Sequence, residues 1–231
     1  MEKYIAPDRK RIPYGMMNFA VIRRDDCYYV DKTRFIPMIE EADKFFFFIR
    51  PRRFGKSLTV NMLQHYYDIL AKDKFEALFG DLYIGKHPTR DRNSYLVLYL
   101  NFSGIVGELH NYRKGLDAHC QTMFDYFCDI YADYLPKGIK EELDKKEGAV
   151  EQFEYLFTEC NKTNQRSHDT SFLHLWILHQ TYQEHIAEYI RYWWLGYLIH
   201  LRDQQRQHSG KMPSVHLEVY RYNLYIQMVY H

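Results

Sequence analysis

The sequence predicts an α/β fold, a parallel sheet flanked by helices with a helical insertion, on three observations. Two short runs, "KFFFFI" (44–49) and "YLVLYLNFS" (95–103), are almost wholly apolar and bounded by polar residues, as strands buried on both faces are. Between and after them, apolar residues recur at the three-to-four spacing of helices. Strands and helices therefore alternate along the chain, the order that a parallel sheet with crossover helices requires.

Taken in order, Pro13 and Gly15 mark a turn, and "CYYV" (27–30) has the bulk of a short strand. In "RFIPMIEEADK" (34–44), Phe35, Ile36 and Ile39 keep helical spacing, with Thr33 or Asp31 as the N-cap. "FFFFI" (45–49) is the first buried strand. Leu58, Met62, Tyr66 and Leu70 fall four apart and predict a buried helix over 56–70. Residues 95–102 form the second strand, and the helical insertion covers about 104–160. Its first helix carries Leu109, Tyr112, Leu116, Cys120, Met123, Phe127 and Tyr131, and "PKG" (136–138) breaks it. "IKEELDKKEG" (139–148) reads as a solvated helix ending at Gly148, and "AVEQFEYLFTECNKT" (149–163) as an amphipathic one.

The chain has 231 residues with 31 Lys and Arg against 30 Asp and Glu, so no global field recruits nucleic acid or an anionic membrane. Its four cysteines, Cys27, Cys120, Cys128 and Cys160, show neither C-x-x-C nor zinc-finger spacing and are expected as reduced thiols. The charged start "MEKYIAPDRKRIPYG" lacks the apolar centre of a signal peptide, and no apolar run approaches a membrane span. These features predict a cytoplasmic protein without membrane association.

Residues 164–231 differ in composition from the rest. They hold eight of the 12 histidines and all three tryptophans, but one lysine, Lys211. The histidine spacings, such as His174 to His179 and His179 to His185, do not match the i, i+4 face of a helical metal site. Trp193 and Trp194 read as buried helix residues or as part of a non-native tail rather than as an interfacial anchor.

The chemistry concentrates in "IRPRRFGKSLTVNML" (49–63). A phosphate loop needs a strand leading to a turn of converging N–H groups, a lysine as a mobile charge and a Ser or Thr hydroxyl for Mg²⁺. The following helix adds its N-terminal dipole. Here Gly55, Lys56 and Ser57 supply those groups after the 45–49 strand. The pattern G-x-x-x-x-G-K-[ST] places its first glycine where this chain has Arg50, and Pro51 pushes that arginine toward extended geometry. Arg52 and Arg53 offset the loss with guanidinium groups able to pair with phosphates. The binding stretch is thus Arg52, Arg53, Phe54, Gly55, Lys56, Ser57 and Leu58, with Ser57 as the Mg²⁺ ligand. A solvent-exposed basic turn between a strand and a helix is the competing reading. A nucleic-acid groove would spread its basic groups among aromatic platforms, so this compact cluster suits a triphosphate better.

The same loop closely resembles that of the AAA-ATPase-like family of bacterial proteins, in which R-P-R-R-F-G-K-S replaces the ordinary loop. "IPYGMMNF" (12–19), "YYVDKT" (28–33) and "YLVLYLNFS" (95–103) resemble it too, although Asn101 stands where the family usually has aspartate. The likeness covers about residues 10–163. It implies a P-loop NTPase-like domain over 1–163 that binds ATP with Mg²⁺ and hydrolyses it, often fused to a domain resembling PD-(D/E)XK nucleases. The preference for ATP over GTP rests on the resemblance alone. Asp31, Lys32 and Thr33 either line the nucleotide pocket or cap a helix.

Similar sequences carry an acidic motif at the end of the strand that follows the insertion. Here the apolar stretch at that distance, "SFLHLWILHQ" (171–180), ends in His179 and Gln180, and Asp169 precedes it. Three readings follow for this chain: nucleotide binding without hydrolysis, an acid borrowed from elsewhere such as Glu184 or Glu188, or a frameshift or truncation of a longer gene after about 164. The composition change favours the third. The expected activity is nucleotide binding with slow or absent turnover, and the alternatives are a non-enzymatic nucleotide- or nucleic-acid-binding module or a non-functional fragment of a longer ATPase. Protein partners and oligomeric state are not encoded in any motif.

Overall fold

The computed structural model describes residues 10–41, 54–101, 112–167 and 171–177. The 45–49 strand, Arg50, Arg52, Arg53, the start of the insertion and most of the histidine-rich segment lie outside the described residues.

The organising element is β1 (Tyr95–Asn101), which pairs in parallel with β2 (Ser171–Ile177). The register runs from Tyr95 opposite Ser171 to Asn101 opposite Ile177. Side chains alternate across a strand, and here the alternation divides the interior. Leu96, Leu98 and Leu100 enter a core built from α6 (Tyr112–Ile130), α7 (Ile139–Leu143) and α8 (Gly148–Ser167). Tyr95 and Val97 enter a second core with α1 (Phe19–Arg24), α2 (Ile36–Glu40), α3 (Lys56–Tyr67) and α4 (Phe75–Phe79). Burial on both faces is why this strand reads as an unbroken apolar run. The second core is rich in rings: Phe19 lies 5.0 Å from Phe79 and 5.3 Å from Tyr29, and Tyr66 lies 5.0 Å from Tyr67. Each such side chain contributes about 1.5–3 kcal/mol on burial.

The helix predicted over 56–70 is shorter. α3 ends at Tyr67, Asp68 is extended, and a 3-10 turn follows at Ile69–Lys74. Two devices stop it. The Asp68 carboxylate accepts the Leu70 N–H at 2.8 Å. Asn93, at φ 48°, donates its N–H to the Tyr66 carbonyl at 2.9 Å and its amide to the Asp68 carbonyl at 2.8 Å. Leu70, fourth in the apolar series, is consequently exposed.

Three other elements also depart from expectation. "CYYV" forms no strand; its main-chain bonds run from the Cys27 N–H to the Ile22 carbonyl at 3.0 Å and from the Tyr28 N–H to the Arg11 carbonyl at 2.9 Å. The helix in 139–148 covers Ile139–Leu143, and both of those end residues are buried. Gly148, at φ 79°, opens α8 rather than closing α7, and the Asp117 carboxylate caps that start by accepting the Ala149 N–H at 3.0 Å. The composition change at 164 falls inside α8.

All four cysteines are buried and unbonded. Burial pushes the thiols of Cys120 and Cys128 up to about 12 and about 11. No described helix is long and apolar enough to cross a membrane.

Candidate functional site

α3 begins at Lys56 immediately after Gly55, which occupies the left-handed region at φ 75°, ψ 19°. A Cβ on Gly55 would meet no atom within 4 Å, so the backbone angle rather than crowding demands glycine there. The Gly55 carbonyl accepts both the N–H (2.9 Å) and the hydroxyl (3.0 Å) of Thr59, which closes the first turn. A helix's first turn leaves N–H groups without intrahelical partners. Here the N-cap has no side chain to satisfy them, and no acidic residue lies in that turn. The result, among the described residues, is a 12-residue helix whose electropositive start carries neither a side-chain cap nor an acidic residue in its first turn.

Of the seven predicted binding residues, five are described. Phe54 and Gly55 are exposed, Lys56 and Ser57 are half-buried, and Leu58 packs on the core that holds Val60 and Leu63. Lys56 and Ser57 thus sit together in the first helical turn. Arg52 and Arg53 lie outside the described residues, as do Glu184, Glu188 and His179. α3 packs against both β1 and β2. The two strands finish level, at Asn101 and Ile177. Open parallel sheets bind ligands beyond the carboxyl ends of their strands. The residues after Ile177 are Leu178, His179 and Gln180, none of which carries a carboxylate.

The expected N-cap role of Thr33 or Asp31 is not what forms: Lys32 and Phe35 stand at the N-caps of the 3-10 turn Thr33–Phe35 and of α2, neither with a side-chain cap bond, and Asp31 and Thr33 instead brace two segments. One Asp31 oxygen accepts the Thr33 N–H and hydroxyl at 2.8 and 2.7 Å, and the other accepts the Tyr83 N–H at 2.8 Å. The buried Thr33 hydroxyl in turn accepts the Ile84 N–H at 3.2 Å. These bonds tie the segment before α2 to the start of α5 (Tyr83–Lys86). Burial opposes the charge on Asp31, but the donated hydrogen bonds outweigh it and hold the carboxyl below its ordinary range. Lys32 is exposed.

One connection was missed in the sequence. The Asn61 side chain, on α3, accepts the Phe19 N–H at 2.7 Å and donates to Gln64 at 3.2 Å. A lone asparagine in an apolar helix was the available signal. Among the described residues, no group of three or more His, Cys, Asp or Glu side chains is placed to hold a metal ion.

Comparison with known proteins bears on the same region. A protein of Azotobacter chroococcum mcd 1, named "Uncharacterized protein in vnfD 5'region", is 52% identical over 56 residues. That match spans 24% of this chain and 11% of the relative. No solved structure matches the chain. The family model described as "Predicted AAA-ATPase" matches residues 13–194, past residue 163 where the motif resemblance ends. That match takes in the start of α3, both strands and Asp31, and by it the chain belongs to the AAA-ATPase-like family.

Proposed function

We propose that this chain binds ATP at the start of α3 through a modified phosphate loop. The observation that carries the reading is Gly55: a left-handed, uncapped N-cap placed between "RPRRF" and the Lys56–Ser57 pair. In this reading residues 45–49 are the loop strand of a P-loop NTPase-like sheet that also contains β1 and β2. The Gly55 backbone approaches the phosphates, Lys56 bridges the β- and γ-phosphates, and Arg52 and Arg53 pair with phosphate oxygens. The open helix start and the hydroxyl at position 57 fit a Mg²⁺-bound triphosphate, with Ser57 as a ligand. Mg²⁺ supplies charge neutralisation between the phosphates.

Hydrolysis also calls for a residue that positions water and a carboxylate that organises the metal. Leu178, His179 and Gln180 follow β2 in place of such an acid. We therefore expect binding with slow or absent turnover in this chain. The in-register pairing of β2 and the family match through residue 194 support a native frame at least across β2.

The test is a titration with a fluorescent ATP analogue. Binding should weaken at least tenfold when Mg²⁺ is removed and be abolished in Lys56→Ala. Binding to single-stranded DNA that depends on salt and ignores Mg²⁺ would instead identify the basic turn as a nucleic-acid contact.

A further inference from the structure

Asn61 stands five residues after Lys56, and helical side chains cover the turn on the N-terminal side of their own Cα. Its side chain therefore lies over the turn that starts at the phosphate loop. From there it reaches the Phe19 N–H at 2.7 Å. Phe19 is fully buried against Tyr29 and Phe79, and Asn18 caps α1 by accepting the Val21 N–H at 3.0 Å. The segment before it, residues 10–18, exposes the side chains of Ile12, Tyr14 and Met17 (76%, 95% and 57%) and meets the loop after α1 through Lys10 with Asp26 at 2.5 Å, Arg11 with Asp25 at 3.5 Å and the Arg11 carbonyl with the Tyr28 N–H at 2.9 Å. Those bonds tie the arm to the loop after α1, and Asn61 with buried Phe19 fastens the junction of arm and α1 to α3.

We propose that Asn61 is a positioning residue that couples docking of the arm to occupancy of the phosphate loop; this rests on the nucleotide reading above. A triphosphate at Gly55 to Ser57 orders the first turn of α3. That turn carries the hydrogen-bond ladder from which Asn61 projects, so the Phe19 contact and the bound phosphate stabilise the same two turns. By linkage, whatever factor the docked arm adds to nucleotide affinity, bound nucleotide adds to arm docking.

The experiment uses the full chain and ATPγS as the ligand, with two readouts: its dissociation constant and the rate of chymotryptic cleavage after Tyr14, followed by mass. In the wild type, saturating ATPγS should slow that cleavage about fivefold. Asn61→Leu should weaken ATPγS binding by a similar factor and abolish its effect on cleavage. Asn61→Asp keeps an oxygen acceptor for the Phe19 N–H and should restore both. ATPγS binding to the wild type with unchanged cleavage after Tyr14 overturns the coupling and leaves the phosphate-loop reading standing, whatever the variants do. Binding by Asn61→Leu equal to the wild type has the same meaning. Absence of ATPγS binding to the wild type overturns both readings together.

Discussion

The Tyr131 hydroxyl donates to the Asp68 carboxylate at 2.8 Å, joining the end of α6 to the residue that stops α3. The same oxygen accepts the buried Val97 N–H of β1 at 3.1 Å, so one phenol satisfies a strand amide and a half-buried acid. Burial first, and then the Asp68 charge, raise the Tyr131 phenol well above its ordinary value, which keeps it protonated and donating. Removing the hydroxyl in Tyr131→Phe takes this acceptor from the Val97 N–H and leaves the Asp68 carboxylate with the Leu70 N–H. We expect a loss of about 1–3 kcal/mol in urea unfolding, with an unchanged slope.

Asp68 and Asp31 should respond to pH in opposite senses. Burial raises the Asp68 carboxyl above its ordinary value, more than its hydrogen bonds from Leu70 and Tyr131 lower it. A raised carboxyl favours the fold below its unfolded value, and that contribution is lost as pH rises through the folded value. Asp31 is lowered, so its contribution is present above the unfolded value and is lost as pH falls through the folded one. The stability of wild type relative to Asp68→Asn should therefore decline from acid toward neutral pH. Relative to Asp31→Ala it should rise over the same span. Denaturant unfolding at a series of pH values reads both, and parallel trends would contradict the assignment.

Asn93 offers a test of how α3 is ended. At φ 48° it holds carbonyls of the last turn, while its own buried Oδ1 has no hydrogen-bond partner among the described residues. Asn93→Ala loses the side-chain bond and meets the left-handed penalty, for an expected cost of about 2–4 kcal/mol. Asn93→Gly keeps the angle and loses the bond, and should cost about 1 kcal/mol. Equal melting temperatures for the two variants would show that the angle contributes nothing.

The start of α3, β1 and α8 were legible because each is set by a local pattern: Gly55-Lys56-Ser57, an apolar run and helical spacing. β2 was not, because the composition change at 164 pointed to an out-of-frame tail and the strand is set by its pairing with β1, 76 residues before it in sequence. The end of α3 was not, because Asn93 reaches it from 25 residues away in sequence. The brace made by Asp31 was hidden for the same reason, since its partner Tyr83 lies 52 residues on. Helix α1 is six residues long, too short for periodicity to declare, and the Asn61 contact that anchors its first residue spans 42 positions. Local chemistry announces where an element begins; distant residues decide where it stops and what it touches.

β1 is a party wall. Its even-numbered leucines belong to one interior and its odd-numbered Tyr95 and Val97 to the other, so neither compartment has a floor without it. A cavity cut at Leu98 is felt first among α6, α7 and α8, and one cut at Val97 is felt first beneath α3. Displacing the backbone they share opens both at once. Seven residues shared by two neighbouring cores should therefore couple their unfolding, with α3 and its Gly55 start under the same hold as α6, α7 and α8 on the far side.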